Sequence, residues 1–350
     1  PNEQLTEVTV SGPNMKYATP KAFPYMETLN VEGGNVDLPG YSYGGDSALK
    51  HIKIDAQTYT SESGAFRNAR ALETVVLKAT DAILDNRTFV ECPKLKAVDF
   101  TQCQNIIYAE GAFGGSANDT DIPGATPLNH SVIIYVKSDE QNPKNSNVDT
   151  GLSDTHGIVA VTNGGTFSGD FEAGKLATPE KIGYRFEGWY GNAEFNGDKV
   201  TTPEVGKTYY AKWYTYNAKV DTEEKNDDAK TNYVGTPIDI AVNVKAEQAD
   251  VDSIQKADLI FDDIDAVEKV EVNGKELDKP YTNIDLYSLM NNNQSIATLA
   301  MVPVTKEPVI LRVTFSTPGE HTVKIVLKDD ANNVICTSQD TTVTVKKKSI

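Results

Sequence analysis

Histidines and cysteines are the residues of this chain best suited to hold a metal ion or to act as nucleophiles. They are His51, His130, His156, His321, Cys92, Cys103 and Cys336. No two of them stand at the spacing of an H-E-x-x-H helix or of a Cys–His zinc site. The G-x-S-x-G elbow and the phosphate-binding glycine loop are also missing from the sequence. We therefore predict no catalytic residue, no metal ligand and no cofactor, and we expect the chain not to be an enzyme.

Acidic side chains gather in three stretches and offer the oxygen ligands that calcium prefers. The stretches contain Asp258, Asp262, Asp263 and Asp265; Asp329, Asp330, Asn332 and Asn333; and Asn118, Asp119 and Asp121. None of the three has EF-hand spacing, and runs of Asp and Asn more often form solvated turns. The sequence leaves a calcium site open, and we interpret all three stretches as turns.

Charge and hydropathy exclude several classes of partner. The chain has 50 acidic and 33 basic residues and a net charge of −17, which disfavours nucleic acid and anionic membrane surfaces. No apolar run approaches the length of about 20 residues that a membrane helix needs. The sequence opens with the polar stretch PNEQLTEVTV and contains no signal peptide, so secretion would need a leader that has been removed.

A hydrophobic pattern repeats every 23 residues in the first third of the chain and must position whatever that region binds. Three columns are apolar in four successive copies, and an aromatic column precedes them. The columns are Met26, Leu49, Leu72 and Leu95; Leu29, Ile52, Val75 and Val98; Val31, Ile54, Leu77 and Phe100; and Tyr43, Phe66, Phe89 and Phe113. Such a period predicts stacked units, each adding a short strand to a parallel sheet.

Two copies, AFRNARALETVVLK and TFVECPKLKAVDF, resemble the BspA-type leucine-rich repeat of bacterial surface proteins. The resemblance covers roughly residues 20–136 and implies an extracellular solenoid that presents a surface to partners. Cys92 stands in the small-residue column of Ala69 and is expected to be a buried thiol, although pairing with Cys103 stays open. A Gly- and Asp-rich insertion follows Phe113 and precedes the strand-like SVIIYV.

Between the buried columns, the predicted strands should expose two rows of side chains. Row A contains Thr28, His51, Thr74 and Ala97, and row B contains Asn30, Lys53, Val76 and Asp99. Because repeat proteins bind through such rows, we predict that a protein partner contacts Asn30, Lys53, Val76, Asp99, Thr28, His51 and Thr74. The alternative is a solvent-facing sheet without a partner.

Residues 157–213 contain both tryptophans, Trp189 and Trp213, and resemble the internalin-type B repeat. The resemblance rests on the centre GYRFEGWY, residues 183–190, and on the closing sequence YAKW, residues 210–213. It implies a small β-grasp-like fold that spaces other domains. The aromatic rings suit either core packing or stacking on sugars.

Alternating apolar residues dominate the chain beyond residue 235, as in Ile238, Ile240, Val242 and Val244. Asn273-Gly274 is a strong hairpin signal, and PGEHTVKIVLKDDANNVI resembles the late strands of bacterial immunoglobulin-like domains. Residues 214–235 suit either a linker or an irregular first strand, and NIDLYSLMNNNQSIATL suits a short helix or a long connection.

We therefore predict a mainly β, multidomain chain. It comprises a leucine-rich repeat solenoid with an N-terminal cap (1–136), a linker (137–156), a β-grasp-like module (157–214) and an immunoglobulin-like β-sandwich (215–350). The expected function is a monomeric, secreted or cell-surface bacterial adhesin that binds a host or bacterial surface protein, or a glycan. The alternative function is a carbohydrate-binding accessory protein.

Overall fold

The computed structural model describes residues 5–16, 23–43, 48–114, 131–225, 232–289 and 308–347. These residues fall into two compact units: residues 1–180 with 186–213, and residues 181–185 with 214–350. Both units are built from β-strands. The α-helices α1 (Gln248–Val251) and α2 (Leu286–Leu289) have four residues each. Among the described residues, no helix is long and apolar enough to cross a bilayer.

One sheet of nine strands organises the first unit. Its strands are β1 (Glu7–Lys16), β2 (Thr28–Leu38), β3 (His51–Ser61), β4 (Thr74–Leu84), β5 (Ala97–Tyr108), β6 (Ile133–Val136), β7 (Ile158–Val161), β8 (Tyr184–Tyr190) and β9 (Thr208–Thr215). Strands β1 to β7 pair in sequence order, and β7 pairs with β9, all in parallel. Successive parallel strands with intervening turns form a β-solenoid.

The predicted apolar columns form the core of this solenoid. The twelve residues of the three columns all lie in one cluster and are at most 2% exposed. The aromatic column stacks ring on ring: the centroids of Tyr43 and Phe66, Phe66 and Phe89, and Phe89 and Phe113 are 5.3, 5.4 and 5.5 Å apart. The Cys92 thiol is buried and donates to the carbonyl of Phe66 at 3.1 Å. The prediction of stacked coils is confirmed.

The strands are longer than the sequence predicted. Buried residues in β3 alternate at Ile52, Ile54 and Ala56 and then resume at Tyr59 and Ser61, one position out of phase. The pairing of β3 with β2 and β4 skips one position at the same point. This phase shift bends the strand and keeps its apolar side facing the core on both sides of the bend.

The turns opposite the sheet repeat as closely as the strands do. Tyr41, Gly64, Arg87 and Gly111 occupy one turn position in successive coils, and their φ angles lie between 58° and 71°. Backbone hydrogen bonds link the turns from coil to coil, as from Phe66 N to Thr88 O at 3.0 Å. A left-handed conformation is unstrained only for glycine, so the backbone is strained at Tyr41 and Arg87, the two non-glycine residues at this position.

A second apolar layer covers the outer face of the sheet from β5 onward. Residues 163–180, here called the roof segment, contribute Phe171, which stacks on Tyr135 of β6 with the ring centroids 5.1 Å apart. The Tyr135 hydroxyl donates to the carbonyl of Lys175 and accepts from the amide of Ala177. Trp189 completes this layer. The predicted solenoid and middle module therefore share one sheet and one compact unit, and their boundary stays a prediction.

The segment predicted as a linker, residues 137–156, is folded within this unit. It contains 3-10 helices at Asp139–Gln141 and Pro143–Asn145. The side chain of Gln141 is buried and donates to the carbonyls of Cys103 and Gln104, each at 3.0 Å. Polar composition suggested a solvated tether, but these side chains satisfy backbone groups at the end of the solenoid instead.

Two five-stranded sheets form the second unit. The first has the order β10-β11-β16-β13-β14 and the second β15-β12-β17-β18, with β19 also paired to β17. The strands are β10 (Ala218–Glu224), β11 (Pro237–Ala246), β12 (Lys256–Phe261), β13 (Val267–Val272), β14 (Lys275–Glu276), β15 (Ile284–Asp285), β16 (Val309–Phe315), β17 (Gly319–Lys328), β18 (Val334–Thr337) and β19 (Thr341–Val345). Neighbouring strands in both sheets pair antiparallel over their described residues.

Both sheets of the second unit contribute to one apolar core, so the unit is a β-sandwich. Ile240 and Val313 enter this core from the first sheet, and Leu259 and Ile325 enter it from the second. Asn273 and Gly274 have φ angles of 53° and 76° and form the predicted hairpin turn between β13 and β14. Residues 218–224 form an edge strand rather than a linker. Residues 283–289 end in the single turn of helix α2, where this described range stops.

Candidate functional site

The predicted rows A and B form on the outer face of the solenoid sheet. Thr28, His51, Thr74 and Ala97 are register partners in strands β2 to β5, and so are Asn30, Lys53, Val76 and Asp99. Each row therefore crosses the strands at the spacing of neighbouring strands, about 4.8 Å. Lys53 is exposed, and Thr28, Asn30, His51 and Val76 are half-buried.

The predicted exposure of Asp99, Thr74 and Ala97 is wrong. Asp99 is 2% exposed, Thr74 is 8% exposed and Ala97 is 1% exposed. The reason is the roof segment, which lies over β5 to β7 and ends above β4. Asp99 therefore does not belong to the open surface on which a partner would dock, and the buried Thr74 only borders it.

Asp99 is held under the roof as a buried carboxyl. Its Oδ1 accepts hydrogen bonds from the backbone amide and the hydroxyl of Thr101, at 2.9 and 2.7 Å. Burial raises the pKa of Asp99, and the two hydrogen bonds from Thr101 oppose that rise. A buried carboxyl with a raised pKa lowers the stability of the folded state near neutral pH, and the roof segment keeps it away from a ligand.

A cleft of about 410 Å³ opens where the roof segment ends. Its floor is the uncovered part of the two rows, formed by Thr28, His51, Lys53 and Val76, and the buried Thr74 also borders it. One wall is the tip of the roof segment, residues 168–171, and the rim carries Glu7, Glu73 and Lys96. The volume lies in the range typical of ligand pockets. We take this cleft as the candidate functional site.

A ladder of alternating charges runs along the rim where the strands begin. Lys50 binds Glu27 at 2.7 Å, and Lys96 binds Glu73 at 2.9 Å. The hydrogen bond that Lys96 donates lowers the pKa of Glu73, and the hydrogen bond that Lys50 donates to Glu27 raises the pKa of Lys50. Within each pair the two opposite charges largely neutralise each other, and the pair of Glu73 and Lys96 borders the cleft.

Other polar groups of the cleft are also engaged within the protein. The ring of His51 is hydrogen bonded through Nδ1 to the Thr74 hydroxyl at 2.8 Å. The side-chain amide of Asn30 donates to Glu7 at 2.9 Å. Ser168 donates to Glu180 at 2.9 Å and fixes the tip of the roof segment. These contacts hold the floor and the wall of the cleft in place before a ligand arrives.

Two charges of the cleft differ from the rest. Lys53, on the floor, and Asp170, on the exposed tip of the roof segment, have neither an ion pair nor a side-chain hydrogen bond within the described ranges. The sequence pointed to Lys53 through the 23-residue period. It gave no sign of Asp170 or of Glu7, because neither belongs to a recognisable repeat copy.

The aromatic side chains of the predicted middle module are structural. Trp189 is 4% exposed, and its Nε1 donates to the carbonyl of Ala177 at 3.0 Å. Trp213 packs edge to face on Phe186 and donates from Nε1 to the carbonyl of Thr162 at 2.9 Å. Both indoles donate their single N–H to a backbone carbonyl, and the Trp189 ring is buried, so their contacts favour core packing over stacking on a sugar.

Acidic side chains of the second unit close turns. Asp258 pairs with Lys328 and accepts from the amide of Asn283 at 2.7 Å. Asp329 accepts from the amide of Asn333 at 2.8 Å and from the Tyr216 hydroxyl at 2.9 Å. No group of three or more His, Cys, Asp or Glu is placed to hold a metal ion within the part of the chain that the structure describes. The stretch with Asn118, Asp119 and Asp121 lies outside the described residues, as does His130.

Comparison with known proteins gives no independent assignment. A scan against protein-family models finds no match, and searches of curated proteins and of solved structures find none either.

Proposed function

We propose that this chain is a non-enzymatic, secreted or cell-surface bacterial protein that binds a macromolecular partner through the outer face of its solenoid sheet. The carrying observation is the cleft, in which the open ends of rows A and B meet the tip of the roof segment. A preformed cleft with a fixed floor suits binding, because little conformational entropy is lost when a ligand enters.

Resemblances in the sequence support the extracellular part of this proposal. The BspA-type pattern of residues 20–136, the internalin-type B repeat of 157–213 and the immunoglobulin-like strands near the C-terminus all belong to bacterial surface proteins. On this proposal the solenoid is a leucine-rich repeat module, and the other two modules space it from its attachment point. The acidic net charge of −17 fits partners other than nucleic acid.

The proposal is tested by capture on the immobilised full-length chain from host matrix and bacterial wall fractions. The binding variant is Thr28→Arg/Lys53→Glu, which alters the floor of the cleft. The control is Lys94→Glu, which makes the same lysine-to-glutamate reversal as Lys53→Glu on an exposed turn away from the sheet. We expect the control to capture the same partner as the wild type and the binding variant to lose it.

Tryptophan fluorescence verifies that both variants are folded. Equal capture by the wild type and the binding variant would remove the sheet as the contact surface, whatever the partner is. Capture of a glycan rather than a protein, with the same dependence on Thr28 and Lys53, would keep the site and change the class of partner.

A further inference from the structure

The charges that line the cleft show which ligand it would accept, given the proposed function. Five charged residues line it: Glu7, Lys53, Glu73, Lys96 and Asp170. Glu73 and Lys96 neutralise each other, and Glu7 keeps its charge but already accepts a hydrogen bond from Asn30. Lys53 on the floor and Asp170 on the wall have opposite signs, lie on two different elements of the fold and have no side-chain partner among the described residues.

We propose that the cleft binds an extended peptide segment of a partner protein, with an acidic side chain at Lys53 and a basic side chain at Asp170. Covering Lys53 or Asp170 with an uncharged ligand would remove water from an unpaired charge, which is costly. A ligand that brings a carboxylate to Lys53 and an ammonium or guanidinium to Asp170 replaces the lost water with charge-assisted hydrogen bonds.

A polypeptide is the partner that satisfies both positions. Nucleic acids and acidic wall polysaccharides carry charges of one sign, and would set a second negative charge against Asp170. A neutral glycan would leave both charges unmatched. Peptide segments commonly place acidic and basic side chains within a few residues of each other, and the apolar Val76 and Phe171, which also line the cleft, suit an apolar side chain beside them.

The two charges give selectivity more than affinity. Charge complementarity suppresses wrong partners because like charges brought together are strongly unfavourable. The Lys53 position repels basic segments and the Asp170 position repels acidic ones, so a segment must present both signs in one order along its chain. The cleft would therefore distinguish peptides by the order of their charges along the chain as well as by their composition.

The test measures binding of the full-length chain to an array of peptides with one common frame. The frame carries Glu and Lys two to four residues apart in both orders, or Gln at both positions as the neutral reference. We expect one order of the mixed-charge peptides to bind at least about tenfold more tightly than the neutral reference. Lys53→Glu and Asp170→Lys should each abolish that preference, and Lys94→Glu should leave it intact.

The double variant Lys53→Glu/Asp170→Lys exchanges the two charges and keeps the net charge of the chain. It should prefer peptides of the opposite order, an outcome that general loss of folding cannot produce. Binding without a preference between mixed-charge and neutral peptides, or no binding of any peptide, would overturn the inference. So would tighter binding of a uniformly acidic polymer. The proposed function would survive these results if capture still depended on Thr28 and Lys53.

Discussion

Leucine substitution in the aromatic column measures whether neighbouring coils support one another. Phe89 lies between Phe66 and Phe113, at centroid distances of 5.4 and 5.5 Å and interplanar angles of 7° and 16°. Phe89→Leu keeps an apolar side chain in the core and removes both ring contacts. At about 0.5–1.5 kcal/mol for each aromatic pair, we expect it to lower the free energy of unfolding by about 1–3 kcal/mol.

A double-mutant cycle isolates the contact between two coils. Phe66→Leu and Phe89→Leu should couple by about 0.5–1.5 kcal/mol, because the two rings touch. Tyr43→Leu and Phe113→Leu provide the control, since these rings lie three coils apart and stack on different neighbours, Phe66 and Phe89. For that pair the effects should add to within about 0.5 kcal/mol.

Denaturant unfolding followed by tryptophan fluorescence suits this measurement. Trp189 and Trp213 are the only tryptophans of the chain and both lie in the first unit, so their signal reports on the unit that contains the solenoid. Equal coupling for the two pairs, or no coupling between Phe66 and Phe89, would refute the stacked column as a source of stability.

Further substitutions test single features. Gly64 has a φ of +71°, so Gly64→Ala should lower the free energy of unfolding by about 1–2 kcal/mol. Gly191 has open space around it, so Gly191→Ala should change that free energy by less than about 0.5 kcal/mol in the same denaturation assay. Since burial raises the pKa of Asp99, the folded state holds its proton to higher pH than the unfolded chain does. The stability gained by Asp99→Asn should therefore grow as the pH rises from about 4 toward 7 and vanish below that range; a pH-independent difference would contradict this. Asp258→Ala should destabilise the second unit by about 3 kcal/mol in thermal unfolding followed by circular dichroism, because it leaves Lys328 unpaired with 14% of its side chain exposed.

Sequence periodicity predicted the solenoid core because each column offers several copies of the same constraint. A single Leu72 is ambiguous, but apolar residues at the same position in four successive copies define an interior face. The same reasoning placed Phe66, Phe89 and Cys92 correctly. The sequence pattern underestimated the length of the strands. Burial in β3 changes phase after Ala56, so the alternation of buried and exposed residues no longer follows a strict period of two there.

The candidate site was only half predictable for a related reason. Thr28, His51 and Lys53 come from repeat copies, so their alignment followed from the period. The roof segment does not repeat, and nothing local in the sequence shows that Phe171 stacks on Tyr135 of β6, 36 residues earlier in the chain. That contact buries Asp99 and sets the position of the cleft.

The central claim, that the partner docks on the uncovered part of the sheet, is tested most directly by hydrogen–deuterium exchange of the full-length chain with and without its captured partner. Binding should slow exchange in residues 28–33, 51–56 and 168–171 and leave it unchanged in the turns at 62–72 and 85–95. Protection confined to those turns, or to the β-sandwich of the second unit, would contradict it.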